Sequence, residues 1–179
     1  GFSAGVLLAI GSYSLLHHSL EGGNIWQTIF GILAGALFVF LMEKLIPHME
    51  PHFSLTPISA GKKQGILLAM ALMIHNFPEG LSVSAGFATG EQKLGIAIAI
   101  LIAIHNIPEG LSIALPFRRA KVSKLKCLLI VTLSGMVEPV ACFFGMIFFS
   151  LIHDFIPFST AFAAGSILYV VCDELIPEC

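Results

Sequence analysis

The chain has 179 residues, 56% of them hydrophobic and 11% charged, with a net charge of −2. A soluble domain carries about 25% charged residues, so a mean hydropathy of +0.92 means that most of this surface faces something other than water. The near-neutral balance excludes nucleic acid as an expected partner, and Cys127, Cys142, Cys172 and Cys179 show no CxxC spacing, which argues against a thiolate zinc site or a disulfide framework.

Six apolar stretches follow one another, at 2–20, 29–46, 65–87, 94–115, 125–152 and 158–176. Each is near the ~20 residues that cross a bilayer core. Unpaired backbone amides are not tolerated in lipid, so these segments are predicted to be helices. A β-barrel would need short alternating segments, and these do not alternate. The expectation is an all-α, multi-pass membrane protein with six transmembrane helices in one domain spanning 1–179. The chain opens GFSAGVLL, without Met and already inside an apolar run, and closes ELIPEC as another run ends. It reads as a piece of a longer polypeptide, and no signal peptide is visible.

The connectors carry the basic residues. If successive helices alternate direction, one side holds Lys44, Lys62, Lys63, Arg118, Arg119, Lys121, Lys124 and Lys126, and the other holds only Lys93. Positive charge marks the cytoplasmic side, which places the 44–63 and 118–126 connectors in the cytoplasm. The second of these is also suited to anionic lipid. A cell membrane, inner or plasma, is the expected location.

Two repeats stand out. The nine residues IHNFPEGLS at 74–82 return as IHNIPEGLS at 104–112, differing only at Phe77 and Ile107. They lie in consecutive helices, which run antiparallel. A fainter repeat joins Phe2, Ala4 and Gly5 to Phe162, Ala164 and Gly165 as FxAG. Internal repeats of this kind suggest a transporter with its site where the repeats meet.

Positions four apart share a helix face, so His75 projects with Glu79 and His105 with Glu109. Asn76 and Asn106 sit about 100° round the helix from those histidines. Pro78 and Pro108 remove an amide each, free the carbonyls of Ile74 and Ile104, and are expected to kink both helices. Gly80 and Gly110 allow another helix to approach closely, and Gly31 with Gly35 marks a packing face. Glu79, Glu109 and Glu138 fall inside apolar runs without Lys or Arg in those helices. An ionised carboxylate at mid-membrane costs about 2.5–3.5 kcal/mol on insertion scales. A divalent cation, a proton or water must compensate them. Two imidazoles beside carboxylates suit zinc, iron, manganese or cobalt better than calcium or magnesium. A lone buried histidine is ordinarily a hydrogen-bonded core residue, but two identical HNxPEG sets are not explained that way. Glu138 taken alone has a lesser alternative as a protonated, hydrogen-bonded acid, but its neighbour Pro139 repeats the pairing of proline with acid and tilts the reading towards a ligand.

HNFPEG and HNIPEG on adjacent helices resemble the ZIP (ZRT/IRT-like) metal transporters, especially the bacterial-type subgroup. SGMVEP at 134–139 and the closing DELIP are similar to that family too. The resemblance covers essentially the whole chain and implies helices two to seven of an eight-helix fold, lacking the first and the last. It implies transport of divalent transition metals into the cytosol, with Zn2+ as substrate and Fe2+, Mn2+, Co2+ and Cd2+ as alternatives, and no organic cofactor. It implies a binuclear centre. One site would use His75, Glu79, His105 and Glu109; the other would use Asn76, Asn106 and Glu138, with Glu79 and Glu109 bridging. Some members carry an acid where this chain has Asn106, so the second site here is less negative.

Other polar residues take secondary places. His17, His18 and Glu21, near the outer end of the first helix, either collect metal at the entrance or form an interfacial cap. His48 and His52, with Glu50, lie on the 44–63 loop and hold metal near the exit or are simply solvated. Glu43 lies inside the second apolar run beside Lys44, which can snorkel. Asp173 and Glu174 line the exit path or sit at the interface. Small-residue faces permit a homodimer. An intramembrane zinc protease would show HExxH and a di-iron bundle would show ExxH; the chain contains neither, so an enzyme is not expected. A metal-stabilised structural or sensing protein is the remaining alternative.

Overall fold

His75, His105 and Glu79 are buried in this structure, while many large apolar side chains are exposed. The computed structural model describes residues 2–54, 59–151 and 153–176, with side chains other than those of 2–3, 45–54, 153 and 174–175. Among the described residues every regular element is helical. The order is α1 (Phe2–Leu8), a π-helical stretch (Ala9–Leu16), α2 (His17–Gly22), α3 (Ile25–Ser54), α4 (Ala60–Ala88), α5 (Gln92–Arg119), α6 (Lys124–Gly135), α7 (Val137–Leu151) and α8 (Ile156–Val170), closed by a second π turn (Val171–Leu175). Among the described residues five helices are long and apolar enough to cross a membrane: Ile25–Lys44, Ala60–Ala88, Gln92–Arg119, Lys124–Leu151 and Ile156–Asp173. The consecutive helical segments of 2–22 form the first rod, so the six expected runs are all helical.

The burial pattern is that of an integral, multi-pass membrane protein. Leu33, Leu37, Ile100, Ile107, Leu111, Leu129 and Phe143 are exposed, while His75, Asn76, Glu79, Ser82, Ser84, His105, Ser134 and Ser166 are buried. Apolar surface at those outer positions is stable only against lipid.

The sequence dictates the turns. Gly90 takes φ 86°, a left-handed value that glycine adopts without strain, and so reverses the chain between α4 and α5. Asn24 opens α3 by accepting from the Trp26 amide at 3.0 Å, and Ser123 opens α6 by accepting from the Lys126 amide at 3.4 Å. Three connectors meet at one end. There, Ser19 donates to the Pro157 carbonyl at 2.7 Å, Gln27 donates to the Asp154 carbonyl at 3.4 Å, and His18 lies 3.6 Å from Glu91. At the opposite end Gly61 abuts Pro116 and Ala120, so the lysines of the 44–63 connector and the basic α5–α6 turn share a side.

The run 125–152 keeps its span, Lys124–Leu151, with a turn at Met136 between α6 and α7, where Pro139 brings no amide. One expectation about element bounds changes. The segment expected as a loop after Lys44 continues α3 in helical form to Ser54. The helices also continue through Pro78 and Pro108, each of which leaves one backbone carbonyl without its amide partner, and the Ser82 hydroxyl bonds back to the Pro78 carbonyl at 2.7 Å.

Packing rests on glycine. A Cβ on Gly35 would strike the Phe162 carbonyl, one on Gly31 would strike Ala161 and the Phe158 carbonyl, and one on Gly165 would strike the Ile32 backbone. The small residues of α3 thus seat α8 against it, as GxxxG spacing predicts. The FxAG repeat divides here: Gly165 is enclosed, whereas nothing lies near Gly5. α4 is central and touches α3, α5, α6, α7 and α8. A common core of Leu7, Ile10, Ile98, Ile102, Ala164 and Ile167 joins the first rod to α5 and α8. Gly35→Val is expected to lower stability by about 1–3 kcal/mol through overpacking, read as a fall in the unfolding midpoint of the detergent-solubilised protein, with Ala36→Val nearby having the smaller effect.

Candidate metal centre

α4 and α5 bring the two hexads together across one antiparallel contact. His105 is fully buried, with Nε2 2.9 Å from Glu109 Oε1 and 3.3 Å from Glu79 Oε1. Glu79 is also buried, and Glu109 is slightly open, with 14% of its side chain exposed. One ligand atom from each of Glu79, His105 and Glu109 lies within 4.8 Å of the others. Among the described residues this is the group of three His, Cys, Asp or Glu side chains placed to share a metal ion. Two acids converge on one imidazole, a donor set that suits zinc and its neighbours.

A small cavity of about 100 Å³ adjoins this cluster, and Asn76, Asn106, Glu109 and Glu138 line it with Ser134 and Gly135. Asn106 Nδ2 donates to Glu138 Oε1, and Asn76 Nδ2 donates to the Ser134 carbonyl at 3.5 Å. Glu109 belongs to both the cluster and the cavity wall. Glu79 stands in the cluster and does not line the cavity.

Local sequence explains why Glu138 arrives here. A Cβ on Gly80 would collide with the Glu138 carbonyl and Cα, so the glycine of the first hexad is what lets α7 dock at this height. Glu138 stands in the first turn of α7, where a helix N-terminus favours an anion. Gly110 performs a milder task, with a Cβ there meeting Val131 Cγ1 at 3.1 Å.

The polar atoms are incompletely satisfied. Asn76 Oδ1, Glu79 Oε2, Asn106 Oδ1 and His105 Nδ1 are buried without a hydrogen-bond partner. A buried acceptor left unpaired costs about 1–3 kcal/mol, a cost that a cation bound beside such an oxygen would relieve.

The remaining candidates divide. His75 is buried, but its Nε2 lies 3.3 Å from Glu43 Oε1, and it is not among the three clustered ligands. Glu43 also accepts from the Tyr169 hydroxyl at 3.1 Å, while the Lys44 ammonium sits 4.3 Å over the Phe40 ring. Glu43 and Tyr169 were not legible as site residues. The available signal was an acid inside an apolar run, and its adjacency to Lys44 gave it another explanation. At the far end His17 pairs with Glu21 at 3.3 Å, both well exposed, whereas His18 turns to Glu91. The three expected entrance residues therefore do not form one cluster, and Glu91 joins His18 instead. Asp173 is exposed in the closing π turn. The side chains of His48, His52 and Glu174 lie outside the described residues.

Comparison with known proteins gives the same direction. The family profile of the ZIP Zinc transporter matches residues 51–179. The chain is 40% identical over 153 residues to "Zinc transporter GufA" of Myxococcus xanthus, an alignment covering 83% of this chain and 59% of that protein. It is 40% identical over 183 positions to "Zinc transporter ZIP11" of Xenopus tropicalis, covering 96% of this chain and 51% of that one. It is 35% identical over 196 positions to "Zinc transporter ZupT" of Streptococcus mutans, covering 99% of this chain and 73% of that one. The chain thus spans between half and three quarters of the length of these relatives.

If the cluster holds metal, Glu79→Gln and Glu109→Gln each weaken equilibrium Zn2+ binding roughly tenfold or more, a loss of at least about 1.4 kcal/mol, while Asn106→Asp strengthens it. Titration of the purified protein against a competing chelator measures this.

Proposed function

The chain belongs to the ZIP zinc-transporter family, and from that premise we propose that the protein carries divalent transition-metal ions, zinc first, across its membrane into the cytosol. The observation that carries the reading is the Glu79–His105–Glu109 cluster, buried between two helices long enough to span a bilayer. Its ligand set is mixed, which fits transport: a site must hold an ion firmly enough to select it and weakly enough to release it. Thiolates would hold zinc more tightly, and the described cysteines lie outside the cluster.

The reading extends to a binuclear centre. Glu79, His105 and Glu109, joined by His75, form the first site. Asn76, Asn106 and Glu138 form the second around the adjoining cavity, with Glu109 facing both. Asn106 is neutral, so the second site attracts a cation less strongly than the first and serves as an assisting station. Fe2+, Mn2+, Co2+ and Cd2+ have the same ligand preferences and compete with zinc. The basic connectors gathered at one end set that end in the cytoplasm. The described chain forms a single transporter domain, equivalent to helices two to seven of the family fold, and its small-residue faces support a homodimer.

Uptake of radioactive zinc by the full-length protein in proteoliposomes tests the reading, with the wild type beside His75→Ala/Glu79→Ala. Saturable uptake in the wild type and its loss in the double variant are expected, as is loss in Glu79→Ala and Glu109→Ala singly, with Asn106→Asp retained. Normal transport by Glu79→Ala would remove the central assignment. An inert wild type that still binds zinc at the cluster would replace transport with a structural or sensing role.

Metal ligands must be deprotonated to bind. Uptake is therefore expected to be weaker at about pH 5 than at about pH 7.5, because the imidazole and carboxylate ligands hold more protons at the lower pH. Equal initial rates at the two values, measured without a pH gradient, would contradict ligand protonation as the controlling step.

A further inference from the structure

Glu43 stands inside the span Ile25–Lys44 with its side chain only 17% exposed, on a helix that carries neither hexad. Both of its oxygens are engaged. Oε2 accepts from the Tyr169 hydroxyl at 3.1 Å, and Oε1 lies 3.3 Å from His75 Nε2. α3 and α8, which carry Glu43 and Tyr169, are seated on each other through Gly31, Gly35 and Gly165. The carboxylate is therefore fixed by one close-packed helix pair and reaches across to the first histidine of a third helix.

This bond matters because of where the ring points. His75 and Glu79 lie four residues apart on one face of α4, yet Nε2 of His75 faces Glu43, and the shared ligand group contains Glu79, His105 and Glu109 without it. A ring nitrogen that donates to a carboxylate cannot offer the same lone pair to a metal. Joining the cluster through Nε2 requires His75 to leave Glu43.

We propose that Glu43, held by Tyr169, is a positioning residue that competes with the transported metal for His75, so that the cluster binds its ion less tightly and releases it faster. The proposal rests on the transport reading above. Its logic is that of a carrier site: a fourth ligand that is always available deepens the well, whereas a ligand that must be taken from a neighbour keeps the well shallow enough for the ion to leave. The device couples the occupied site to the α3–α8 pair, since binding the ion through Nε2 breaks the contact between Glu43 and His75. Glu43 acts through His75 and need not touch the metal.

The test uses the full-length protein in proteoliposomes, with initial rates of zinc uptake measured across a range of zinc concentrations. Glu43→Ala is expected to lower KM about fivefold, the worth of one competing hydrogen bond, and to lower Vmax by a comparable factor as release slows. Tyr169→Phe, which removes only the tether, is expected to move both in the same direction by less. Neither substitution shifts KM in a His75→Ala background. A purely structural role would depress Vmax without lowering KM. An unchanged or raised KM in both variants overturns the proposal, a raised value meaning that Glu43 orients His75 towards the metal; so does a shift of the same size without His75. If Glu43→Ala does not fold, Tyr169→Phe alone decides by the same criterion. If the wild type transports nothing, the transport reading fails separately, and equilibrium zinc binding by the same variants decides this one: tighter binding supports it, and equal or weaker binding overturns it.

Discussion

A carboxylate enclosed between apolar helices must be compensated inside the bundle, because neither lipid nor bulk water can do it. Glu79, Glu109 and Glu138 impose this constraint on everything around them. His105 is driven to full burial between two acids, Asn106 turns its amide onto Glu138, and Glu43 is drawn to His75 and Tyr169. Many large apolar side chains face outward, while an apolar core built on Leu7, Ile10, Ile98, Ile102 and Ile167 lies beside the buried polar group.

Meeting that constraint requires close helix contact, and small residues provide it. Gly80 does more than follow the ligands of its hexad. By admitting the Glu138 backbone it fixes the height at which α7 docks, and so determines which residue faces Asn106. Gly31, Gly35 and Gly165 do the same for α3 and α8. α4 touches both groups of helices, so changes at the metal cluster and changes in helix packing are transmitted through one element. Among the described residues, the hydrogen bond between His75 and Glu43 is a polar link across that boundary.

The chemistry of the centre is graded. The cluster holds two acids and an imidazole, the adjoining cavity holds one acid, two amides and a share of Glu109. An ion would meet decreasing negative charge on passing from one to the other. Glu109 belongs to both the three-residue cluster and the cavity wall.

The sequence by itself determined the helical class, the antiparallel pairing of α4 and α5 and the meeting of the two hexads, because each depends on local or nearly local pattern. Apolar length sets the spans, the i and i+4 spacing puts His105 with Glu109, and the two near-identical hexads fall on consecutive, antiparallel helices. The GxxxG face of α3 was legible for the same reason. Only the tertiary structure decided what lay far apart in the chain. Glu43 looked like the neighbour of Lys44, yet its partners are 32 and 126 residues away. His18 looked like part of an entrance with His17 and Glu21, yet helix rotation sends it to Glu91. His75 shares its helix face with Glu79, but the rotamer that carries it to Glu43 is set by the position of α3, which no periodicity within α4 encodes. Period and composition specify which face of a helix is polar, and the packing of glycines against neighbouring backbones specifies which helix that face meets.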